Sequence, residues 1–130
     1  MRILYIDDDA VNRQVIRDML ALADVEMLEA ADAVSGLAVM DTADLDVVLV
    51  DLRMAGMDGL TAIAHIRARQ DSKSNLPLII ITADTSPNLR QHCIDGGADD
   101  MILKPVTMKE LFDVIGRAIR ARAGDDFLDL

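Results

Sequence analysis

Five short aliphatic runs recur along this chain, each ending on polar or charged residues, and their repetition restricts the fold more than any other feature. Arg2 to Ile6 leads into Asp7, Asp8 and Asp9; Val25 to Leu28 leads into Glu29. Val47 to Val50 leads into Asp51, Leu78 to Ile81 into Thr82, and Met101 to Leu103 into Lys104 and Pro105. Short runs rich in Val, Ile and Leu and bounded by turn residues read as strands buried on both faces, and such strands belong to parallel sheets. Helical periodicity fills the gaps. Val11, Val15, Met19 and Leu22 recur at helical spacing with Asp9 as N-cap, and a second helix covers about Ala33 to Met40. Gly56 to Gly59 make a turn, Asp58 caps the next helix, and Leu60, Ile63 and Ile66 line one of its faces. Asp71 to Leu76 is a polar loop; a short helix with Leu89, Cys93 and Ile94 stops at Gly96 and Gly97. Leu111, Ile115, Ala118 and Ile119 share a face of the last helix. Right-handed crossovers then put helices on both faces of an α/β, doubly wound, five-stranded parallel sheet with five helices.

The core of such a fold has to be aliphatic here. Hydrophobic residues make up 52% of the 130, yet Tyr5, Phe112 and Phe127 are the only aromatics. A chain of this length buries roughly two-thirds of the surface its unfolded form exposes, so one domain is expected, at 1–122, with 123–130 a tail or the start of a linker. The net charge of −10 repels nucleic-acid phosphates and anionic lipid and argues against DNA binding. Cys93 is the single cysteine, which excludes an intramolecular disulfide, and no basic start precedes an apolar segment. A reducing, cytoplasmic setting is expected. No apolar run approaches the roughly 20 residues of a membrane span.

In open parallel sheets, ligands bind beyond the carboxyl ends of the strands, where strand order reverses. The residues predicted to gather there are carboxylates, a hydroxyl and an ammonium. Asp7, Asp8 and Asp51 at neighbouring strand ends would repel one another by about 4 kcal/mol per pair at 4 Å and an effective dielectric near 20. They need a cation, and an all-oxygen set suits Mg²⁺ better than zinc or copper; neither His65 nor His92 has a spaced partner. Asp9 reads as a helix cap. A carboxylate beside Mg²⁺ is able to attack phosphorus, so Asp51 is the expected nucleophile, forming an aspartyl phosphate. Thr82 and Lys104 would donate to the phosphoryl oxygens. Taken singly, Thr82 is a turn cap and Lys104 a surface charge; their joint placement after buried strands carries the reading.

Four motifs, I-L-Y-I-D-D-D, V-V-L-V-D-L-R-M-A-G-M-D-G, I-I-I-T-A-D and M-I-L-K-P, follow in an order that resembles the response-regulator receiver domains of two-component and phosphorelay signalling. The resemblance spans about Arg2 to Arg122. It implies a flavodoxin-like sheet in the order 2-1-3-4-5, and phosphorylation of Asp51 by a phosphohistidine on a partner histidine kinase or histidine phosphotransfer protein. It implies Mg²⁺ held by Asp8, Asp51 and the backbone carbonyl of Arg53, with Asp7 acting mainly through water, and a cis peptide before Pro105 that aims Lys104 into the site. Phosphorylation is then expected to shift the surface of the fourth helix, fifth strand and fifth helix, about Pro87 to Ala121, and so control a downstream protein partner or output domain.

The chain departs from the family's usual pattern at particular places. Ala55 stands where proline is usual. Met101, three residues before Lys104, replaces an aromatic side chain that swings inward on activation in many receivers; a methionine fills irregular gaps without a ring to report the switch. Arg53 and Asp84 flank the entrance in the family's geometry, where two readings stand side by side: a pair across it that limits water access, or two independent surface charges. Two other classes compete. Asp7, Asp9 and Val11 also resemble the nucleophile motif of haloacid-dehalogenase-like phosphatases, with Asp7 attacking, but that reading lacks a cap insertion and leaves Asp51 without a role. An interaction module independent of phosphorylation would not need the full set of Asp, Thr and Lys. A stand-alone carrier and a receiver from a hybrid kinase both fit, and C-I-D-G-G-A-D-D resembles the latter.

Overall fold

The aliphatic runs form one parallel sheet with strand order β2-β1-β3-β4-β5. The strands are β1 (Arg2–Ile6), β2 (Glu26–Ala30), β3 (Val47–Asp51), β4 (Leu78–Thr82) and β5 (Asp100–Leu103) in a computed structural model that describes residues 1–128, with side chains through 123. Between and after them lie α1 (Ala10–Ala21), α2 (Ala33–Thr42), α3 (Gly59–Arg67), α4 (Leu89–Asp95) and α5 (Met108–Leu128). The predicted architecture is the one observed. Of the 123–130 segment expected as tail or linker, the backbone continues α5 to Leu128, and residues 129 and 130 lie outside the described residues.

Alternation along each strand divides the core in two. Leu4, Ile6, Val48, Val50, Leu78 and Ile80 face α2, α3 and α4, where they meet Met40, Ile63, Ile66 and Cys93. Ile3, Tyr5, Leu49, Ile79 and Ile81 face α1 and α5, against Ile16, Leu20, Leu111 and Ile115. Period-2 side chains on a strand covered on both faces require this division. Among the described residues no helix is long and apolar enough to cross a membrane.

Three local expectations are corrected. Of the stripe Val11, Val15, Met19 and Leu22, only Met19 packs against the core: Val11 is 70% exposed and Leu22 75%, while Ile16 and Leu20 are buried. Val15 and Ile16 are one residue apart, a rotation of about 100°, so two helical stripes competed, and the sheet selected the one that meets Ile3 and Tyr5. The second strand runs over Glu26–Ala30, not Val25–Leu28, because its register follows β1 from Arg2↔Glu26 to Ile6↔Ala30. An edge strand, paired on one side, carries exposed Glu residues that a search for apolar runs passes over. Finally, the polar loop contains a 3-10 turn over Ser72–Asn75, capped by Asp71.

Candidate functional site

Parallel register brings functional groups from four of the five strands, β1, β3, β4 and β5, to the same edge of the sheet. Ile6 pairs with Val50, Asp51 with Ile81, and Thr82 with Leu103, so the residues at or just beyond these positions are neighbours. Asp51 is the last residue of the central strand, Asp7 and Asp8 follow β1, Thr82 ends β4, and Lys104 follows β5. The chain runs from β1 outward to β2 and then crosses back to β3, so the cluster sits at the reversal of strand order.

Turn chemistry fixes the surrounding backbone. Asp9 caps α1 by accepting from the Val11 and Asn12 amides, as expected, which engages its carboxylate in the helix start. After Asp51, Gly56 at φ +79° makes the turn that non-glycine residues rarely adopt, and Asp58 accepts from the Thr61 amide to start α3. Gly59 lies so close to the end of β3 that an added Cβ would stand 2.5 Å from the Asp51 carbonyl oxygen. The first residue of α3 is thereby seated against the backbone at the end of β3.

Asp7, Asp8 and Asp51 each offer a carboxylate oxygen within 4.8 Å of the others, with Asp7 and Asp51 buried and Asp8 exposed. One ammonium faces them: Lys104 Nζ lies 3.3 Å from Asp7 Oδ2 and 3.6 Å from Asp51 Oδ1. Burial, followed by the charge of Asp7, pushes the Asp51 carboxyl up to about 6, with Lys104 opposing. Burial also disfavours charge on Asp7, but hydrogen bonds from the Tyr5 hydroxyl and the Asp9 amide, with Lys104 alongside, hold its carboxyl below the ordinary range. A raised and a lowered carboxyl side by side mark a site short of positive charge. The all-oxygen donors, two of them buried, fit a hard divalent cation such as Mg²⁺.

Thr82 is buried at the end of β4, and its hydroxyl accepts from the Asp84 amide at 3.1 Å. The Lys104 amide donates to the Thr82 carbonyl at 2.8 Å, which ties the two loops together, and the Lys104–Pro105 peptide is cis. At the entrance Arg53 donates to Asp84 from Nε at 3.1 Å and from a terminal nitrogen at 2.5 Å, the paired one of the two readings. Asp84 is held at about 2 by the Ser86 hydroxyl and by Arg53. Met101 is half-buried and packs against the cluster beneath α4.

Two residues that the sequence reading passed over touch Asp7. The Tyr5 hydroxyl donates to Asp7 Oδ2 at 2.5 Å, and Arg13 donates to the Asp7 backbone carbonyl at 2.7 Å. The signals were present: Tyr5 is two residues before Asp7 and therefore on its face of the strand, and Arg13 lies one turn past the cap of α1.

Residues 3–116 match the model of the response regulator receiver domain. Over 116 residues the chain is 34% identical to the sensory/regulatory protein RpfC of Xanthomonas campestris, covering 88% of this chain and 16% of that protein. It is 33% identical to the sensor histidine kinase CheAY of Helicobacter pylori over 91% of this chain and 15% of the relative. The chain therefore spans about a sixth of the length of these curated relatives. The receiver domain of the sensor histidine kinase PA1611 from Pseudomonas aeruginosa, described with a magnesium ion in its active-site cleft, superposes with a TM-score of 0.82 at 30% identity, covering 91% of this chain and 96% of that one.

Proposed function

The chain belongs to the response regulator receiver domain family of two-component signalling, and on that basis we propose that Asp51 accepts a phosphoryl group from a phosphohistidine on a partner histidine kinase or histidine phosphotransfer protein. The observation that carries this is the buried Asp51 carboxylate at the end of the central strand, sharing Lys104 with Asp7 and within metal-ligand range of Asp7 and Asp8. An Asp51 oxygen attacks phosphorus, the P–N bond breaks, and its electron pair leaves with the imidazole. Lys104 and the Thr82 hydroxyl are placed to donate to the phosphoryl oxygens as charge moves onto them.

The residues present fit Mg²⁺: the side chains of Asp7, Asp8 and Asp51 and the backbone carbonyl of Arg53 would hold it. Bound there, the ion neutralises charge on the transferring group. Arg53 and Asp84 restrict water at the entrance, and Met101 with Pro105 borders the surface that responds. The domain acts as a phosphoacceptor that assists its own phosphorylation and dephosphorylation and does not turn over a separate substrate. Its output runs through the face of α4, β5 and α5 to a protein partner or output domain, in a reducing, cytoplasmic setting, with no contact to nucleic acid or membrane. A stand-alone carrier and a receiver within a longer kinase both accommodate this chemistry.

Intact mass after incubation with acetyl phosphate and Mg²⁺ tests the reading. One added phosphoryl group that requires Mg²⁺ and vanishes in Asp51→Asn is the expected result. Catalytic phosphate release without an adduct, lost in Asp7→Asn, would instead support a phosphatase with Asp7 as nucleophile. Neither adduct nor turnover, even with a phosphohistidine donor, would leave an interaction module.

A further inference from the structure

Tyr5 is the one hydroxyl-bearing side chain of β1 and is fully buried, with its ring among Ile3, Ile16 and Leu20 on the α1 and α5 side of the sheet. Its hydroxyl reaches the end of the strand and donates to Asp7 Oδ2 at 2.5 Å. Packing of the ring explains why an aromatic is accommodated there. It does not explain why a phenol stands where phenylalanine would fill the same space, because a buried hydroxyl adds a desolvation cost that its hydrogen bond has to offset.

The geometry points to Tyr5 as a positioning residue for the metal and phosphoryl site: its hydroxyl holds the Asp7 carboxylate in place and stays its donor when Lys104 turns to a phosphoryl group on Asp51. This inference rests on the metal reading of the acidic cluster. Asp7 Oδ2 receives two donors, Tyr5 Oη at 2.5 Å and Lys104 Nζ at 3.3 Å, while Asp7 Oδ1 takes the Asp9 amide at 2.8 Å. An ionised carboxylate offers about four acceptor sites, so these three partners leave room for a further contact, to a metal ion or its water. Lys104 Nζ lies between Asp7 and Asp51, 3.3 and 3.6 Å from them. When Lys104 follows a phosphoryl group onto Asp51, Asp7 stays buried and charged, and Tyr5 and the Asp9 amide remain as its donors.

Removing that hydroxyl leaves Lys104 as the only side-chain donor to Asp7 Oδ2 among the described residues, which holds the ammonium on Asp7. Outer partners that orient a ligand carboxylate commonly change metal affinity by about 10- to 100-fold. With a neutral donor and a ligand that acts partly through water, about tenfold is expected here.

The chain offers its own spectroscopic probe, since Tyr5 is its sole tyrosine and there is no tryptophan. A phenol bonded to a carboxylate loses emission by sharing its proton in the excited state. Mg²⁺ drawing electron density from Asp7 weakens that sharing, so emission should rise. The experiment titrates Mg²⁺ into the wild-type chain, following tyrosine emission and calorimetric heat together, and repeats the calorimetry on Tyr5→Phe. The expected result is a saturable rise in emission at the calorimetric midpoint, and a Kd about tenfold weaker in Tyr5→Phe. Metal-free unfolding curves of the two proteins check that the variant is folded, and the wild-type emission titration needs no variant at all. Equal Mg²⁺ affinities in a folded Tyr5→Phe, or wild-type emission indifferent to saturating Mg²⁺, overturn the role of Tyr5 and leave the metal site standing. Absence of Mg²⁺ binding by the wild type overturns both.

Discussion

At the residue scale the site is governed by how few cations face its carboxylates. The Asp51 carboxyl titrates near 6 in the folded, metal-free chain against an ordinary value of 3.8, because burial and Asp7 disfavour its charge. The folded state therefore binds the extra proton between those values. The stability from this raised carboxyl is fully present below about pH 3.8 and is lost as pH rises through about 6. Asp51→Asn removes the ionisation, so in chelator it should match the wild type near pH 4 and exceed it by about 1–3 kcal/mol near pH 7.5. Denaturant unfolding across that range measures this, and a difference that does not vary with pH would count against it. At the entrance, Arg53→Ala and Asp84→Ala each break the ion pair, which in the proposed reading screens Asp51 from water. An exposed pair contributes at most about 1 kcal/mol, so aspartyl-phosphate lifetimes should shorten by up to about fivefold, read by intact mass over time. Equal lifetimes in all three proteins would mean two independent surface charges.

At the element scale, placement of the site depends on where helices meet strand ends. Gly59 allows the start of α3 to touch the end of β3, and a Cβ there would stand 2.5 Å from the Asp51 carbonyl oxygen and 2.9 Å from Leu52 Cα. Both are backbone atoms that no rotamer change relieves. Gly59→Ala should cost about 1–3 kcal/mol in spite of alanine's better helix propensity, and should slow phosphoryl uptake by displacing Asp51. Unchanged thermal unfolding and uptake would show that the turn gives way freely. The elements also mark where sequence patterns ran out. α1 carries two apolar stripes, and only contact with Ile3 and Tyr5 decides that Ile16 and Leu20 are inside. β2 has a single neighbour, so its bounds come from pairing with β1 and not from its own residues.

For the whole molecule the question is how far one phosphoryl group moves the population of conformations. In the proposed phosphorylated state, a charge-assisted bond from Lys104 and a hydroxyl bond from Thr82 would together supply roughly 2.5–4 kcal/mol. Inverting a 1:99 population takes about 5.5 kcal/mol. Phosphorylation should bias the α4, β5 and α5 face, and a partner should supply the remainder. Partner affinity measured with and without a stable phosphoryl mimic should then rise by no more than about three orders of magnitude, the equivalent of 4 kcal/mol. Unchanged affinity would place the output elsewhere.

The presence of five strands, the order of groups from Asp7 to Lys104, and the caps at Asp9 and Asp58 were legible in the sequence. Strand burial, turn residues and capping are local, written in a few consecutive side chains. The pairing of Arg53 with Asp84 was legible through family resemblance, as one of two readings. The contact between Tyr5 and Asp7 was local too, but nothing in a strand's periodicity says that a phenol will find a carboxylate. Sharing of Lys104 between Asp7 and Asp51, the rise of Asp51 to about 6, and the buried face of α1 were decided by tertiary structure alone. Each depends on distances between segments far apart in the chain, which the folded sheet sets when it brings the ends of β1, β3 and β5 to one edge and excludes water from them.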